Sequence, residues 1–568
     1  MSVQRAKIML NAARFPLIST KGTRAVFVPG TDSAPRTPRQ FIGAEQSTDY
    51  NLPQVLYMEN VMPVSEGLRS VGYVQSIPAD PTETSFDSIF PLRDANENLV
   101  LYSPGRGKNY VYVDGVGWQS RSHATIFGTP LNVLAESLET ARVTYAYVDG
   151  KTLVCYAHQY STTDTDMSVM IWDTATLQLD SATALLVNLP FAFGEIDGIA
   201  SSNGYLIVWS GLSVAWAAFN GTAFDFSPYE NGEFTGAGNQ IPEDVQGPIL
   251  AITSVSGGFL MFTSRNCVGA SYNTQNTVSP WIFREIANSG GVATYESITV
   301  EGSLSAVFAY TTSGLQKITL NGAETIHPQV SDFLAGQKIE HYNAATQTLT
   351  QVDFDQDLAH KLTNVGNRYI VISYGQSTGV YQYALIWDLA FERFGKMKFA
   401  HTDCFYYTYT PPVPGLTYDD LGALTYDDMT TTLYGDLSSD SSVQLTGAQH
   451  ALGFLTTTGE ISVALWADSY RGGTDAGVAI LGRMQLTRAR NTEISRVEIE
   501  GMSDGAAYIT PSYDGRTLVA SIPMTPVISA PTGTVFGTAV ACLNCNLIVQ
   551  GSFDLSTIIV ESMPTGQV

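Results

Sequence analysis

The 568-residue chain has few charged residues, and most of its charges are negative. Asp, Glu, Lys and Arg together make up 14% of the sequence, and the formal net charge is −24. Proteins that grip nucleic acid usually present a basic surface, because each neutralised phosphate releases condensed cations. The composition therefore argues against a protein that clamps DNA or RNA.

Basic residues are missing altogether from two long stretches. No Lys or Arg lies between Lys151 and Arg265 or between Lys398 and Arg471, whereas acidic residues continue through both. A generic acidic surface that aids solubility would explain the pattern. The alternative is an oligomer with one anionic face or lumen, whose channel-facing candidates are Asp173, Asp197, Glu233, Asp244, Asp436 and Asp440.

Cysteine is also scarce, and its spacing gives no disulfide framework. The chain has five cysteines, an odd number scattered over its whole length. Cys542 and Cys545 form a lone C-x-x-C inside an apolar run, without the second pair of a zinc site or the βαβ setting of a redox motif. We interpret them as ordinary buried thiols.

No long apolar run is present. No window reaches the roughly 18 apolar residues of a membrane span, and the N-terminal residues lack the apolar stretch of a signal peptide. We therefore expect synthesis in the cytoplasm, no membrane insertion, and export from a cell only as part of an assembly.

Catalytic and cofactor motifs are missing as well. The segment 103–109 lacks the first glycine and the final hydroxyl of a phosphate-binding loop. The seven histidines include no H-x-x-x-H pair, and no G-x-S-x-G nucleophile motif occurs. The sequence predicts no enzyme, no catalytic residue and no cofactor.

Two aspartate pairs, in the repeat TYDDL and TYDDM, need separate treatment. Neighbouring carboxylates on a strand point to opposite faces, so neither pair can converge on one substrate bond. Clustered aspartate oxygens are calcium ligands, and a weak calcium site is one interpretation. Local turn formation is the other. The residues are Asp419, Asp420, Asp427 and Asp428.

The residues that are abundant indicate a mainly β fold. Glycine (50) and tyrosine (29) are plentiful, and short aromatic strands alternate with turns such as Asp149-Gly150. Blocks of two or three strands recur about every 40 to 60 residues from 140 to 400, which is typical of propeller blades. A string of β-sandwiches is the alternative. Trp172-Asp173 and Trp387-Asp388 resemble the WD dipeptide, but the Gly-His partner of a WD40 repeat is missing.

We predict an irregular β-propeller followed by a C-terminal antiparallel β-sandwich or jelly-roll-like module. Residues 1–140 form an N-terminal β region with a docking arm that contributes to the propeller, and residues 141–408 form its core. Residues 409–444, rich in Pro, Gly and Asp, form a linker, and residues 445–568 form the C-terminal module.

Several segments together resemble the tail nozzle, or packaged-DNA-stabilisation, proteins of short-tailed bacteriophages. They are Ala13–Leu17, Asn60–Arg69, the stretch 257–334, and the C-terminal TRARNTEISRVEIEG. The resemblance follows the order of the chain over most of its length, but each segment is a degenerate β pattern. No catalytic residue is carried over from it.

The resemblance implies a structural virion protein, synthesised in the host cytoplasm, that closes and guides the DNA exit channel. Such proteins form homo-oligomeric rings, commonly hexamers, below the portal and tail adaptor, and they carry fibres, a spike or a needle. Genomic DNA would pass through the lumen without sequence-specific binding. Because basic residues concentrate before Lys151, we expect adaptor docking by Arg5, Lys7 and Arg14.

Two other functions remain open at this stage. One is a carbohydrate-binding or polysaccharide-degrading β-propeller that acts as a receptor-binding tail component. The other is a generic β scaffold or adhesin of a cell.

Overall fold

The computed structural model is almost entirely β-sheet. It describes residues 4–9, 54–64, 67–77, 89–105, 108–113, 116–121, 125–126, 129–130, 143–159, 165–192, 195–230, 233–273, 275, 279–334, 338–343, 348–353, 360–375, 380–390, 393–409, 449–465, 477–484, 492–513, 520–530 and 533–564. The short helix α1 (Pro328–Leu334) and 3-10 turns at Thr183–Leu185 and Tyr295–Ser297 interrupt the strands.

The strands that precede and form the first three blades follow the chain in order. They are β1 (Gln4–Met9), β2 (Gln54–Glu59), β3 (Val61–Val64), β4 (Gly67–Ser70), β5 (Gly72–Ile77), β6 (Phe90–Arg93), β7 (Leu99–Gly105), β8 (Lys108–Val113), β9 (Gly117–Arg121), β10 (Thr125–Ile126), β11 (Thr129–Pro130), β12 (Val143–Val148), β13 (Lys151–Gln159), β14 (Thr165–Asp173), β15 (Gln178–Ser181), β16 (Leu186–Val187), β17 (Gly198–Ser202), β18 (Tyr205–Ser210), β19 (Ser213–Ala218), β20 (Phe224–Asp225), β21 (Tyr229–Glu230), β22 (Glu233–Phe234) and β23 (Gly238–Gln240).

The remaining strands complete the propeller and build the C-terminal module. They are β24 (Ile249–Val255), β25 (Gly258–Thr263), β26 (Cys267–Tyr272), β27 (Trp281–Glu285), β28 (Ile298–Val300), β29 (Val307–Thr311), β30 (Gly314–Thr319), β31 (Gly322–Thr325), β32 (Lys338–Asn343), β33 (Thr348–Asp353), β34 (Lys361–Val365), β35 (Tyr369–Tyr374), β36 (Tyr381–Asp388), β37 (Arg393–His401), β38 (Asp403–Tyr409), β39 (Gln449–Leu455), β40 (Ile461–Leu465), β41 (Gly477–Met484), β42 (Thr492–Ser512), β43 (Ile522–Pro523), β44 (Thr525–Ala530), β45 (Gly533–Cys542) and β46 (Asn544–Pro564).

Within the described part of the chain, the propeller consists of seven four-stranded antiparallel units. Blades 1 to 6 are β6–β9, β12–β15, β17–β19 with β23, β24–β27, β28–β31 and β34–β37, and blade 7 is β38–β40 with β5. Tight turns follow from the local sequence. Asp149 and Gly150 both have positive φ (49° and 72°), as the two-residue turn between β12 and β13 requires. The predicted mainly β fold with an irregular propeller is confirmed.

The blades close into a ring through seven hydrophobic clusters. One cluster joins blade 1 to blade 2, and others join each later blade to the next as far as blade 7. The seventh cluster packs Leu101 and Tyr110 of blade 1 against Phe405 and Ile461 of blade 7. Each interface buries branched and aromatic side chains from both blades, and burial of that apolar surface is the main force that holds the ring together.

The ring is closed by a strand from the N-terminal part of the chain. β5 pairs antiparallel with β40, with Ile77 opposite Ile461 and Gly72 opposite Leu465. β5 is therefore the outermost strand of blade 7, and the chain continues from it into the first strand of blade 1. The last described blade is therefore completed by a strand that precedes the first blade in the sequence.

The C-terminal module is built on a long hairpin that folds back on itself. β42 and β46 pair over their whole length, and each has 21 residues, so a straight hairpin would extend roughly 70 Å. However, Thr492 pairs with Cys542 and Ser512 pairs with Asn544, and only Leu543 separates these partners. The two ends of β42 must therefore lie close together.

The bend has a local cause. The register of β42 shifts between Glu500 and Met502 and again between Met502 and Asp504, and Gly501 and Gly505 have φ of 83° and 138°. Bulges and left-handed glycines allow a strand to turn sharply. One hydrophobic cluster contains residues from both halves of the hairpin together with residues of blades 5 and 6, so the module and the propeller share a core.

A short hairpin joins the module to the propeller in one continuous sheet. Val61 of β3 pairs with Lys396 of blade 6, and Leu68 of β4 pairs with Leu555 of the module. β2 adds to the module through β41, and β1 adds through β46. Hydrogen bonds thus run from blade 6 into the C-terminal module without a break.

The domain boundaries differ from those expected. Residues 449–465 belong to blade 7 and not to the predicted module at 445–568. Residues 54–70 pair with the module and join it to the propeller. The pairing of β38 with β39 spans a Pro/Gly/Asp-rich stretch that resembled a linker. The alternation of apolar and polar residues predicts where strands are, but it does not predict which distant strand each one pairs with. Beyond Tyr409, the predicted linker 409–444 lies outside the described residues. Among the helices that are described, none is long and apolar enough to cross a membrane.

Candidate functional site

The first strand of each blade lies at the propeller axis. First strands of consecutive blades contact one another from β12 of blade 2 through β17, β24, β28, β34 and β38 to β6 of blade 1.

Because the strands of each blade are antiparallel, the connections between strands lie alternately on two opposite faces of the propeller. Connections between the first and second and between the third and fourth strands share one face, here called the turn face. Connections between the second and third strands, and those from blade to blade, share the opposite crossover face. Contacts agree with this division, because the amide of Ile249, where blade 4 begins, donates to Gly211, in the second-to-third turn of blade 3.

A chain of polar contacts links four blades around the axis at the crossover face. Lys361, the first residue of β34, donates to Oε1 of Glu296 at 3.1 Å and forms an ion pair with Asp403, the first residue of β38. The other carboxylate oxygen of Asp403 accepts the amide of Ile89 at 3.0 Å. Blades 5, 6, 7 and 1 are thereby tied together by what we call the axial ion chain: Glu296, Lys361 and Asp403.

The charges of the axial ion chain are partly buried. The side chains of Lys361 and Asp403 are 17% and 3% exposed, and that of Glu296 is 28% exposed. Burial acts to lower the pKa of Lys361, but Asp403 and Glu296 raise the pKa by more than burial lowers it, so the net shift is upward. Lys361 is therefore a permanent ammonium group in the folded protein.

A buried hydrogen-bonded cluster lies beside the axial ion chain, between blades 6 and 7. Ser373 Oγ contacts His401 Nε2 at 2.8 Å and Cys404 Sγ at 3.3 Å, and Thr363 Oγ1 contacts the same sulfur at 3.0 Å. His401 Nδ1 lies 2.7 Å from the carbonyl of Phe399, which fixes this nitrogen as the donor and leaves Nε2 to accept from Ser373.

The cluster is held in its neutral form. Burial lowers the pKa of His401 to about 4, although its bond to Phe399 opposes the shift and Lys361 adds to it. Burial likewise raises the pKa of the Cys404 thiol. A neutral, buried imidazole and thiol cannot act as a base and nucleophile on a substrate in solution. The geometry is that of a structural seam between blades.

Two polar groups of blade 6 are buried without a hydrogen-bond partner among the described residues. They are the hydroxyl of Tyr381, which is 2% exposed, and Nε2 of His360, which is 6% exposed. Tyr381 stacks on His401 with ring centroids 5.6 Å apart. Burial lowers the pKa of His360 to about 4 as well.

Two tyrosines on β12 stand out among the first strands. Tyr145 and Tyr147 are 59% and 68% exposed, whereas the alternate residues Ala146 and Val148 are buried against blade 3.

The structure divides the predicted channel-facing acids between opposite faces. Asp173 is the last residue of β14, before the turn to β15, and Glu233 lies in the connection from β19 to β23, both on the turn face. Asp197 and Asp244 lie on blade-to-blade connections at the crossover face. These four acids therefore do not form one cluster.

Two of these acids have local structural roles. Asp173 accepts the amide of Ala175 at 2.8 Å, and this bond is the main cause of its lowered pKa. Asp244 accepts the amide of Glu285, on the outermost strand of blade 4, so it lies away from the axis. Whether any of the four lines a channel in an assembly stays a prediction.

The remaining predicted site residues lie on β1 or outside the described residues. Arg5 and Lys7 lie on β1, opposite Glu561 and Ile559 of β46. Arg14, Asp436 and Asp440, and the calcium candidates Asp419, Asp420, Asp427 and Asp428, lie outside the described residues. Within the described part of the chain, no group of three His, Cys, Asp or Glu residues is placed to hold a metal ion.

Sequence reasoning missed the axial ion chain. Its members are 42 to 107 residues apart in the chain, and no motif spacing connects them. The only local signal is that each begins or precedes a strand, and that signal becomes informative only after the blades are paired.

Comparison with known proteins adds little to this description. No protein-family profile and no curated protein matches the chain. Among solved structures, virginiamycin B lyase from Staphylococcus aureus matches 69% of this chain and 99% of its own, with 8% identity and a TM-score of 0.33. An exo-β-1,3-galactanase from Phanerochaete chrysosporium, solved with galactose, matches 86% of this chain and 100% of its own, with 10% identity and a TM-score of 0.23.

Both of these structures are of enzymes, but neither likeness is close enough to carry an argument about this chain. The class of the protein therefore rests on its own strand pairing. Its described residues form a β-propeller of seven blades, closed by an N-terminal strand and continuous with an antiparallel C-terminal module.

Proposed function

We propose that the chain is a structural subunit of a short-tailed bacteriophage tail that assembles into the nozzle ring around the DNA exit channel. The observation that carries the proposal is the continuous sheet from blade 6 through β3 and β4 into the C-terminal module. A ring that holds pressurised DNA needs subunits that do not hinge. Two parts joined by backbone hydrogen bonds and a shared hydrophobic cluster meet that need.

The charge distribution supports the same role. Six copies, the number that the resemblance implies, would carry about −144 formal charges. An anionic wall repels phosphate, so DNA slides past it, whereas a basic wall would hold DNA through cation release.

The first basic-free stretch also corresponds to a compact part of the fold. Residues 152–264 run from the second strand of blade 2 through blade 3 to the second strand of blade 4, and these blades are consecutive around the propeller. This sector has eleven Asp and Glu residues and no Lys or Arg. We propose that an edge of this sector faces the DNA channel of the assembled ring, with the N-terminal residues and β1 towards the adaptor.

The described residues favour this role over a polysaccharide-degrading enzyme. Glycoside hydrolysis needs two carboxylates that both reach the scissile bond. Glu296 and Asp403 form one acidic pair among the described residues, but both bind Lys361, and Asp403 is only 3% exposed. This pair serves to hold blades together.

Assembly tests the proposal. Purified full-length chain would be studied by size-exclusion chromatography with light scattering, alone and with a portal–adaptor complex of a short-tailed phage. We expect a closed ring on the adaptor, visible by negative-stain imaging. A chain that stays monomeric and never joins the complex would contradict the proposal.

Charge reversal tests the anionic sector separately. Asp173→Lys with Glu233→Lys adds two cations, at a half-buried site of blade 2 and an exposed site of blade 3, and we expect slower DNA ejection from assembled particles at low salt. Glu324→Lys, at an exposed site of blade 5, is the matched control. Equal ejection rates for both variants would remove the sector from the channel.

A further inference from the structure

We propose that Cys542 and Cys545 are a redox-active pair, which hydrogen peroxide converts to a disulfide across the bend between β45 and β46. Two thiols and one peroxide molecule give one disulfide and two molecules of water. The disulfide closes the bend at the place where the two ends of β42 meet. This inference does not depend on the assignment to a phage tail.

The bend brings the two cysteines together. Cys542 is the last residue of β45, Cys545 is the second residue of β46, and the chain bends at Leu543 between them. Residues three positions apart are separated by up to about 10 Å in an extended chain. A disulfide needs Cα atoms within about 7 Å. The pair can therefore be bridged because the chain does not continue straight from one strand to the next.

The two side chains also point into the same core. Cys542 and Cys545 are 3% and 0% exposed, and both belong to the hydrophobic cluster that the module shares with the propeller. Both are free thiols, and they are hydrogen-bonded to each other. The spacing in the sequence indicated two ordinary buried thiols. The contact between the two sulfur atoms is what the structure adds.

The hydrogen bond gives the two thiols different roles. The S–H group of Cys545 donates to the sulfur of Cys542, which lowers the pKa of Cys542 although burial opposes the shift. The same bond, together with burial, raises the pKa of Cys545. The thiolate is the nucleophilic form of cysteine. Cys542 is therefore the thiol that attacks the oxidant, and Cys545 is the thiol that completes the disulfide.

The oxidation proceeds in two balanced steps. The Cys542 thiolate attacks one oxygen of hydrogen peroxide, the O–O bond breaks, and hydroxide leaves and takes up the proton that Cys542 had lost. This step forms a sulfenic acid and one water. The Cys545 sulfur then attacks the Cys542 sulfur, the S–O bond breaks, and the hydroxyl leaves with the Cys545 proton as the second water. The two thiols lose two electrons, which the peroxide gains.

The position of the pair allows a small oxidant to approach. Ala541 is exposed, and Leu543 and Asn544 are partly exposed, so the two sulfur atoms lie just below the surface. The other cysteines lie on three different blades, which keeps them apart from one another: Cys155 on β13, Cys267 on β26 and Cys404 on β38. The disulfide is therefore expected only at the bend.

Peptide mapping of the full-length protein tests the proposal. The protein is treated with hydrogen peroxide, the peroxide is removed with catalase, and the thiols are alkylated in urea before digestion with trypsin. No Lys or Arg follows Arg516, so the tryptic peptide 517–568 contains Cys542 and Cys545 and no other cysteine. We expect this peptide to escape alkylation and to be two hydrogen atoms lighter than the reduced peptide, and dithiothreitol to reverse both changes. Alkylation of both cysteines after peroxide, or an oxidation that dithiothreitol does not reverse, would overturn the proposal.

Serine variants test the two roles. Cys545→Ser should stop at the sulfenic acid of Cys542, which dimedone traps, whereas Cys542→Ser should give little dimedone adduct on Cys545. Cys404→Ser is the matched control, because it removes another buried thiol but keeps a group that can hydrogen-bond to Ser373 and Thr363. It should form the disulfide as the parent chain does. Equal dimedone labelling of the two bend variants, or loss of the disulfide in Cys404→Ser, would refute the assignment.

Discussion

Two interfaces of the propeller hold neighbouring blades together by different means. Blades 3 and 4 meet through large rings, including Trp209, Trp216, Phe259 and Trp281, all nearly inaccessible to solvent. Blades 6 and 7 meet through a hydrophobic cluster with a hydrogen-bonded seam of Ser373, His401 and Cys404, and the axial ion chain lies beside it. Apolar packing dominates the first interface, whereas the second adds directional polar bonds.

The difference follows from how each interface is assembled. Blades 3 and 4 are consecutive hairpins, so the chain itself fixes their order. Blades 6 and 7 are also consecutive, but blade 7 is completed by β5, which comes from the N-terminal part of the chain and pairs its Ile77 with Ile461 of β40. Apolar side chains tolerate slippage, whereas an ion pair and a backbone bond to Ile89 fit only one arrangement. We infer that these polar contacts determine how the last blade of the propeller joins the first.

The largest contrast should come from removing the central cation. Lys361→Met leaves the buried carboxylate of Asp403 without its partner, and we expect a loss of about 3–5 kcal/mol in the free energy of unfolding. Lys317→Met is the control, because the Lys317–Glu301 pair spans 3.8 Å at a more exposed site and should contribute at most about 1 kcal/mol. Urea denaturation measures both. Similar losses for the two variants would show that the axial ion chain has no special role.

Acid should weaken the polar interface next. Burial holds the pKa of His401 at about 4, against about 6.5 in the unfolded chain. Between these values the unfolded state binds the extra proton, so stability falls as pH falls from 6.5 to 4. The expected loss for this group is about 3 kcal/mol.

The variant His401→Gln isolates that contribution, because it cannot take up the proton. Urea denaturation at pH 7 and pH 5 should give a smaller loss of stability for this variant than for the parent chain. Identical pH dependence in the two proteins would mean that His401 is not kept neutral by the fold.

A smaller effect, independent of pH, is expected at the apolar interface. A Cβ at Gly198 would lie 2.3 Å from Cζ2 of the buried Trp209 ring, so Gly198→Ala forces the ring to move. We expect a loss of about 1–3 kcal/mol from overpacking. The same denaturation series measures it, with equal losses at pH 7 and pH 5. A loss that grew with acid would show that this interface also relies on titrating groups.

The two interfaces also differ in how much the sequence revealed. Apolar strands such as NGYLIVWSG and GGFLMFTSR, and turns such as Asp149-Gly150, predicted the β class and the recurring blades, because strand period and turn chemistry are local. The axial ion chain could not be predicted in this way. Lys361, Asp403 and Glu296 meet only after three blades have been placed side by side, and β5 reaches blade 7 from the other end of the chain.

The proposed function leads to one decisive measurement, an electron cryomicroscopy map of tails assembled from portal, adaptor and this chain. We expect a ring of six copies below the adaptor, with the anionic sector of blades 2 and 3 towards the DNA channel. A map without this chain, or with that sector facing the outside of the particle, would contradict the account.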